Sequence, residues 1–348
     1  MSMSGEILER EIFEQPEVVR QLIIEEQDNV MRLANVLRGS FQYVIIAARG
    51  TSDNAARYAQ YLLGAHNQLP VGLATPSLFT LYGKPPNLDG ALVIGISQSG
   101  RSPDIVAVVK EAKKQGRPTL AITNEANSLL AQSADHFLAL HAEFEKAVAA
   151  TKTYTASLTC LALLSASFAE LPEYFKQLEQ LPGFMEKTLS MTEEILPRVE
   201  RYRYIEHCAV IGRGFNYSTA FEISLKVKEL TRVVAEPYSS ADFLHGPISM
   251  IHDGFPVLVI APKGSVFEDM RSIIVRLSQL NSELLLISDE PSLMEYAHLP
   301  MPLPSGLPEW LTPMVAVLPG QLFSLALARS RGLDPDNPIG LTKVTETW

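Results

Sequence analysis

The chain is short of the residues that build disulfide or metal frameworks. It has two cysteines in 348 residues: Cys160 lies in an apolar helix-like stretch and Cys208 in an apolar strand-like run, with no CxxC and no Cys/His cluster. That usage excludes a disulfide scaffold and a zinc module and fits reduced core thiols in a cytoplasmic protein. His66, His136, His141, His207, His252 and His298 lack ligand spacing, so neither a metal nor a cofactor is expected. The opening stretch, MSMSGEILEREIFEQPEVV, carries carboxylates where a secretory signal needs an apolar core, and no export signal is expected. Basic residues are also outnumbered, 29 Lys and Arg against 39 Asp and Glu, for a formal net charge of −10. Nucleic-acid binding calls for clustered Lys and Arg, so this balance argues against it while leaving room for a small anion in a local pocket. The uncharged run TYTASLTCLALLSASFA (153–169) carries six Ser and Thr. It falls short of the roughly 20 residues a membrane span needs, and it reads as a buried core or interface helix.

Hydrophobic residues make up 47% and charged residues 20% of the chain, the composition of a globular protein. The length suggests two domains. Apolar runs followed by Gly-rich turns and amphipathic stretches recur: YVIIAARGTS before DNAARYAQYLLGA, and ALVIGISQSG before RSPDIVAVVKEAKKQG. This alternation predicts an α/β fold with doubly wound, mostly parallel sheets and helices on both faces. The pattern then repeats. CAVIGRGFNYSTAFEISLKV answers YVIIAARGTSDNAARYAQYL, and PVLVIAPKGSVFEDM answers ALVIGISQSGRSPDI, both at an offset of 164 residues, while ELLLISDE answers PTLAITNE one residue out of that register. Three strand-to-turn junctions at nearly one spacing imply two tandem copies of one unit. We expect domains at 1–200 and 201–348, with residues 171–201 forming connecting helices broken at prolines.

Where the copies differ, function is the better explanation. The turn after the second strand reads Ser97-Gln98-Ser99-Gly100 in the first copy and Ala261-Pro262-Lys263-Gly264 in the second, where only Ser265 offers a hydroxyl. Serines required for folding would recur in both, so one ligand site is expected per chain, in the first half. A strand ending in a Ser/Gly turn that starts a helix converges N–H groups, a helix dipole and hydroxyls on one point, and that suits a phosphate. Thr51 and Ser52, at the turn of the preceding strand, would close the same pocket. Ser102, before Pro103 and Asp104, also fits a plain helix N-cap.

Three further features are weaker. Lys226 and Glu229 lie three apart in LKVKEL, a spacing that most often makes a surface salt bridge. His245 sits in a turn before Gly-Pro, where a histidine is commonly structural. Lys343, in GLTKVTETW, would ordinarily be a solvated charge.

Taken together these segments resemble the sugar isomerase (SIS) domain pair, most closely the isomerase half of glucosamine-6-phosphate synthase and its deaminase relatives. Eight motifs carry the resemblance, in the family's order: EIFEQP, ARGTS, ISQSGRSPD, AVAATKTYT, IGRG, LKVKEL, HGP and DPDNPIGLTKVTE. The resemblance implies that Thr51, Ser52, Ser97, Gln98, Ser99 and Ser102 hold the phosphate and nearby hydroxyls of a hexosamine or ketohexose 6-phosphate. It implies that the backbone at Val148 faces the sugar, that Glu229 shuttles a proton with Lys226 as its companion, and that His245 opens the ring from the partner subunit. Lys343 matches the lysine that forms a Schiff base with the open-chain sugar. A homodimer with shared sites follows from that role for His245.

The resemblance has departures. Ser2 stands where the synthase begins an N-terminal glutaminase with a cysteine, and the isomerase-like motifs start by residue 11. Arg101 replaces an acidic residue, and IGLTKVTET replaces RNLAKSVTVE. The expected reaction is therefore release of ammonia: glucosamine 6-phosphate to fructose 6-phosphate. Alternatives are a fructosamine 6-phosphate deglycase, an ammonia-dependent synthase-like enzyme and, from another class, a non-catalytic sugar-phosphate-binding regulator. A regulator would need only the phosphate loop, and no basic recognition segment accompanies it here.

Overall fold

The computed structural model describes residues 4–194 and 196–343. The chain runs α1 (Glu6–Leu37), β1 (Tyr43–Ala47), α2 (Thr51–Asn67), β2 (Val71–Leu73), α3 (Pro76–Thr80), β3 (Ala91–Ile96), α4 (Pro103–Lys114), β4 (Thr119–Thr123), α5 (Leu129–Ser133), β5 (His136–Ala139), α6 (Lys152–Ala169) and α7 (Pro172–Glu193). It continues through β6 (His207–Gly212), α8 (Tyr217–Thr231), β7 (Val234–Ser239), α9 (Ser240–Leu244), β8 (Pro256–Ile260), α10 (Phe267–Gln279), β9 (Glu283–Ser288), α11 (Pro291–Met294), β10 (Leu299–Pro302) and α12 (Thr312–Ser330).

Two five-stranded sheets result, ordered β2-β1-β3-β4-β5 and β10-β9-β8-β6-β7, and every strand pair in them is parallel. Read from β7, the second order repeats the first, so the internal repeat of the sequence is also a repeat of topology. In such a sheet the winding reverses between the first and third strands, and a crevice opens beyond their carboxyl ends. That switch point lies between β1 and β3 in one sheet and between β6 and β8 in the other.

The strands show why the sheets are covered on both faces. All six residues of β3, ALVIGI, are buried, the continuous apolar pattern of a parallel sheet between helix layers. Val93 and Ala121 pack with Ile105, Val108 and Val109 of α4. Val257 and Leu284 pack in the same way with Ile273, Ile274 and Leu277 of α10. Each such aliphatic side chain contributes about 1.5–3 kcal/mol on burial.

The uncharged run lies in α6, where residues 152–167 are all buried. Among the described residues, the helix long and apolar enough to cross a membrane by length and composition is Glu309–Ser330, with 94% of its window buried. The expectation of helices broken at prolines between 171 and 201 holds at Pro197, which lies in a separate short 3-10 helix, Leu196–Tyr202, and is corrected at Pro182. Pro172 occupies the first turn of α7, where its missing N–H costs nothing, and Pro182 sits inside an uninterrupted helix. Buried Leu178, Leu181, Met185 and Leu189 line one stripe of that helix and offset the lost hydrogen bond.

The described residues form two compact units that interleave along the chain. The first holds 17–145, 152–180 and 342–343. The second holds 4–16, 146–151, 181–194 and 196–341.

Candidate active site

Ala47 of β1 lies opposite Gly95 of β3, so the turns after these strands adjoin at the switch point of the first unit. After β1, Gly50 takes a φ of 54° and α2 opens on the half-buried Thr51 and Ser52. After β3 comes the serine turn. Its Gly100 has a φ of 60°, and a Cβ there would stand 2.2 Å from Ser128 Oγ and 2.9 Å from Thr123 Oγ1, so only glycine fits. The turn's carbonyls are tied back to the protein. Thr123 Oγ1 donates to the Gln98 carbonyl at 3.1 Å, as does the Asn124 N–H at 3.1 Å, and the Leu130 N–H donates to the Gly100 carbonyl at 3.1 Å. Free carbonyl oxygens would repel an anion, so their engagement favours one.

The hydroxyls are placed differently. Ser102 occupies the N-cap position of α4, yet its side chain makes no capping hydrogen bond. Its Oγ lies 3.4 Å from that of Ser97, and Ser97 is 7% exposed. The position is that of a cap, but the hydroxyl faces its partner serine. Arg49, at the turn after β1, donates through Nε to Asp104 Oδ2 at 2.8 Å and ties the two turns together. Arg101 of the serine turn is exposed.

The second repeat keeps the tie but not the serines. Arg213 donates to Asp269 Oδ2 at 3.1 Å and to Ser240 Oγ at 3.1 Å, repeating the strand-end arginine and helix aspartate, so that pairing belongs to the fold. At the turn after β8, Ser265 Oγ donates to Glu309 Oε2 at 2.9 Å. A Cβ on Gly264 would meet Glu309 Cδ at 2.2 Å. The chain's own carboxylate therefore stands at the turn where the first repeat keeps its serines.

Helix α8 of the second unit corrects the surface salt-bridge reading of LKVKEL. Lys226 is buried, with Nζ 2.5 Å from Glu229 Oε2 and 3.4 Å from Glu222 Oε1. The side chains of Lys226 and Glu222 are 1% and 0% exposed, and that of Glu229 is 21% exposed. One ammonium thus serves two carboxylates at i−4 and i+3, and of the two only Glu229 reaches solvent. It lines a cleft of about 260 Å³ with Arg232, Leu333, Asp334, Asn337 and Ile339. A hydrogen bond from Asn337 holds Asp334 below the usual carboxylate range against the opposing effect of burial, with further help from Ser4. Asp336 of the same DPDN segment accepts from the N–H groups of Ile7 and Leu8 at 3.2 and 2.8 Å, capping the first turn of α1.

Two carboxylates not evident as site components from sequence flank the AVAATK stretch. In the second unit, Glu11 is 1% exposed and accepts from the N–H groups of Lys146 and Ala147 at 2.6 and 3.1 Å. It fixes the backbone next to half-buried Val148. In the first unit, Glu145 is fully buried. It accepts from Thr153 N–H at 3.2 Å and Thr153 Oγ1 at 2.7 Å, and from Lys343 Nζ at 2.9 Å. Lys343 is thus paired rather than a free solvated charge. The signal for Glu11 was available: Leu8, Glu11, Ile12, Gln15 and Val19 share one helical stripe, and a carboxylate on an apolar stripe implies a buried partner.

The structure gathers the predicted residues into separate clusters. Thr51, Ser52, Ser97, Gln98, Ser99 and Ser102 surround the switch point of the first unit, and Lys343 belongs to that unit on Glu145. Lys226 and Glu229 pair on α8 of the second unit, which also holds Val148. His245 is exposed at the end of α9, its N–H on the Asp242 carbonyl at 3.1 Å. Residues 344–346 of the DPDNPIGLTKVTE motif lie outside the described residues. Among the described residues no three His, Cys, Asp or Glu side chains converge as a metal would require.

Comparison with known proteins fits this arrangement. The SIS domain model matches residues 42–167 and 203–329. Glutamine–fructose-6-phosphate aminotransferase (isomerizing) of Pyrococcus horikoshii is 35% identical over 340 residues, covering 96% of this chain and 56% of the relative. The chain thus spans about half the length of the curated relatives it matches. The C-terminal domain of glucosamine-fructose-6-phosphate aminotransferase from Francisella tularensis superposes with a TM-score of 0.86 at 27% identity, covering 96% of this chain and 98% of that one. Glucosamine-6-phosphate deaminase from Thermotoga maritima has a TM-score of 0.81 at 20% identity, covering 98% and 100%, a likeness of fold. Two family matches, one on each parallel sheet, place the chain in the SIS domain family as a tandem pair.

Proposed function

We propose that the chain is an aminosugar-phosphate deaminase of the isomerising kind, converting glucosamine 6-phosphate to fructose 6-phosphate and ammonia. The observation that carries this reading is the asymmetry of the repeats. One serine turn keeps its hydroxyls, while its counterpart is occupied by Glu309, and a buried lysine orients a single accessible carboxylate, Glu229. A phosphate site and a positioned base are what a phosphosugar isomerase needs, and the aligned relatives bear names of that chemistry.

In this reading the 6-phosphate sits on Ser97, Gln98, Ser99 and Ser102, closed by Thr51 and Ser52. His245, from a second copy in a homodimer, transfers the proton that opens the ring. Glu229 lifts the C2 proton and returns it to C1, and Lys226 keeps its carboxylate aimed. The product of that shift carries an imine at C2. Lys343 exchanges with it, forming a C2–Nζ imine and releasing ammonia, and water then cleaves the lysine imine to give the ketone and the free amine. In the ammonia-releasing direction every step uses groups among the described residues and water.

The test is to incubate purified protein with glucosamine 6-phosphate, N-acetylglucosamine 6-phosphate and a fructosamine 6-phosphate, assaying ammonia, ketose phosphate and released amino acid. Ammonia and fructose 6-phosphate from the first substrate support the assignment. Amino acid release from the third alone replaces it with a deglycase. Binding of all three without turnover replaces it with a sugar-phosphate sensor.

A further inference from the structure

In both repeats a carboxylate stands just before the long apolar helix, Glu145 before α6 and Glu309 before α12. Glu309 is engaged at the serine-turn position of its own repeat. Glu145 is engaged otherwise. It is fully buried, and Thr153 anchors it twice, through N–H to Oε1 and through Oγ1 to Oε2. The same Oε2 receives Lys343 Nζ at 2.9 Å. A surface ion pair between flexible chains fixes little, but this carboxylate is immobilised before the lysine reaches it. It sets where Nζ stands, while the Lys343 side chain keeps 22% of its surface exposed and so remains open to a ligand.

We propose that Glu145 is the positioning residue and proton partner of Lys343 in carbonyl chemistry at C2 of a ketose 6-phosphate. The inference rests on the reading of Lys343 as the imine-forming amine and assigns that step its missing proton acceptor. An ammonium has no lone pair and cannot attack a carbonyl. Glu145 takes one proton from Nζ. The freed lone pair bonds to C2 as the C2–O π bond opens onto oxygen, and a second Nζ proton passes to that oxygen. Glu145 then returns its proton, the hydroxyl leaves as water, and the C2=Nζ iminium keeps the third proton. Imine hydrolysis runs the same transfers backwards and restores the ion pair. No oxidant or metal enters the balance.

The test traps the imine with borohydride in the full-length protein. Wild type incubated with fructose 6-phosphate and borohydride should gain a reduced hexitol phosphate adduct on Lys343, located by mass spectrometry across a range of pH. Glu145→Gln keeps a carbonyl oxygen for the Thr153 N–H and can donate its amide N–H to Thr153 Oγ1, so it should still bind inorganic phosphate. Its plateau trapping rate should fall about a hundredfold, the size of a lost general base. Glu145→Asp, which keeps the charge, should recover part of the plateau. Should Glu145→Gln fail to fold, Thr153→Val takes its place: it loosens the anchor and should lower the plateau. Trapping in either replacement at the wild-type rate overturns the role of Glu145. Absence of any adduct in wild type that binds the sugar phosphate instead overturns the reading of Lys343 itself.

Discussion

Ser265 donates its hydroxyl to Glu309 at 2.9 Å, and by doing so the second repeat fills with its own carboxylate the position at which the first repeat presents Ser97, Ser99 and Ser102. Phosphate binding should therefore depend on one repeat only. Ser97→Ala should weaken inorganic phosphate binding by about 1.5–3 kcal/mol, the worth of a hydrogen bond to a charged group. Ser265→Ala should leave it unchanged. Calorimetric titration of both variants checks this, and equal losses would contradict a single site.

Lys226 should matter to stability as well as to turnover. Removing it takes the ammonium away from Glu222, which is fully buried, and from Glu229. Lys226→Met should cost about 3–5 kcal/mol in urea unfolding, as breaking a buried pair does, whereas Lys226→Met with Glu222→Leu should recover a large part of that loss. A cost under about 1 kcal/mol for the single variant would mean the ion triad does not hold the helix together.

The proposed sharing of the site between copies predicts complementation. His245→Ala and Lys343→Ala proteins, each inactive alone, should regain part of the deaminase activity when unfolded and refolded together, because one mixed site then holds both groups. No recovery in a mixture shown to form heterodimers would place His245 and its site on one chain.

A pH effect is expected at the second repeat's turn. The hydrogen bond from Lys263 lowers the Glu290 carboxyl to about 2 from an ordinary value of 4.5. A carboxyl depressed in the folded state stabilises fully above its unfolded value and loses that contribution as pH falls through the folded one. The difference in urea midpoint between wild type and Glu290→Gln should accordingly shrink between about pH 5 and pH 2.5. A difference that stays constant across that window would rule out the linkage.

Much of the fold is legible in sequence because it is written in local patterns: apolar runs buried on both faces, such as ALVIGI, and glycines at strand ends that alone fit their turns. The serine turn is legible as a turn for the same reason, and the comparison of two internal copies marks the hydroxyls that only one of them carries. What is not legible depends on contacts distant in sequence. Nothing near Glu145 signals that Lys343, 198 residues away, returns to it. Spacing alone does not tell whether Lys226 and Glu229 lie on the outer or inner face of α8. Proline counting misjudges α7, since buried leucines on one side outweigh one missing hydrogen bond.

The most direct test of the assigned chemistry compares wild type with Glu229→Gln on glucosamine 6-phosphate, measuring ammonia and fructose 6-phosphate together with inorganic phosphate affinity. Wild type should form the two products in equal amounts, and Glu229→Gln should bind phosphate normally while its turnover falls by at least about a hundredfold, as loss of a general base requires. Undiminished product formation by Glu229→Gln, or no ammonia from wild type that binds the sugar phosphate, would contradict it.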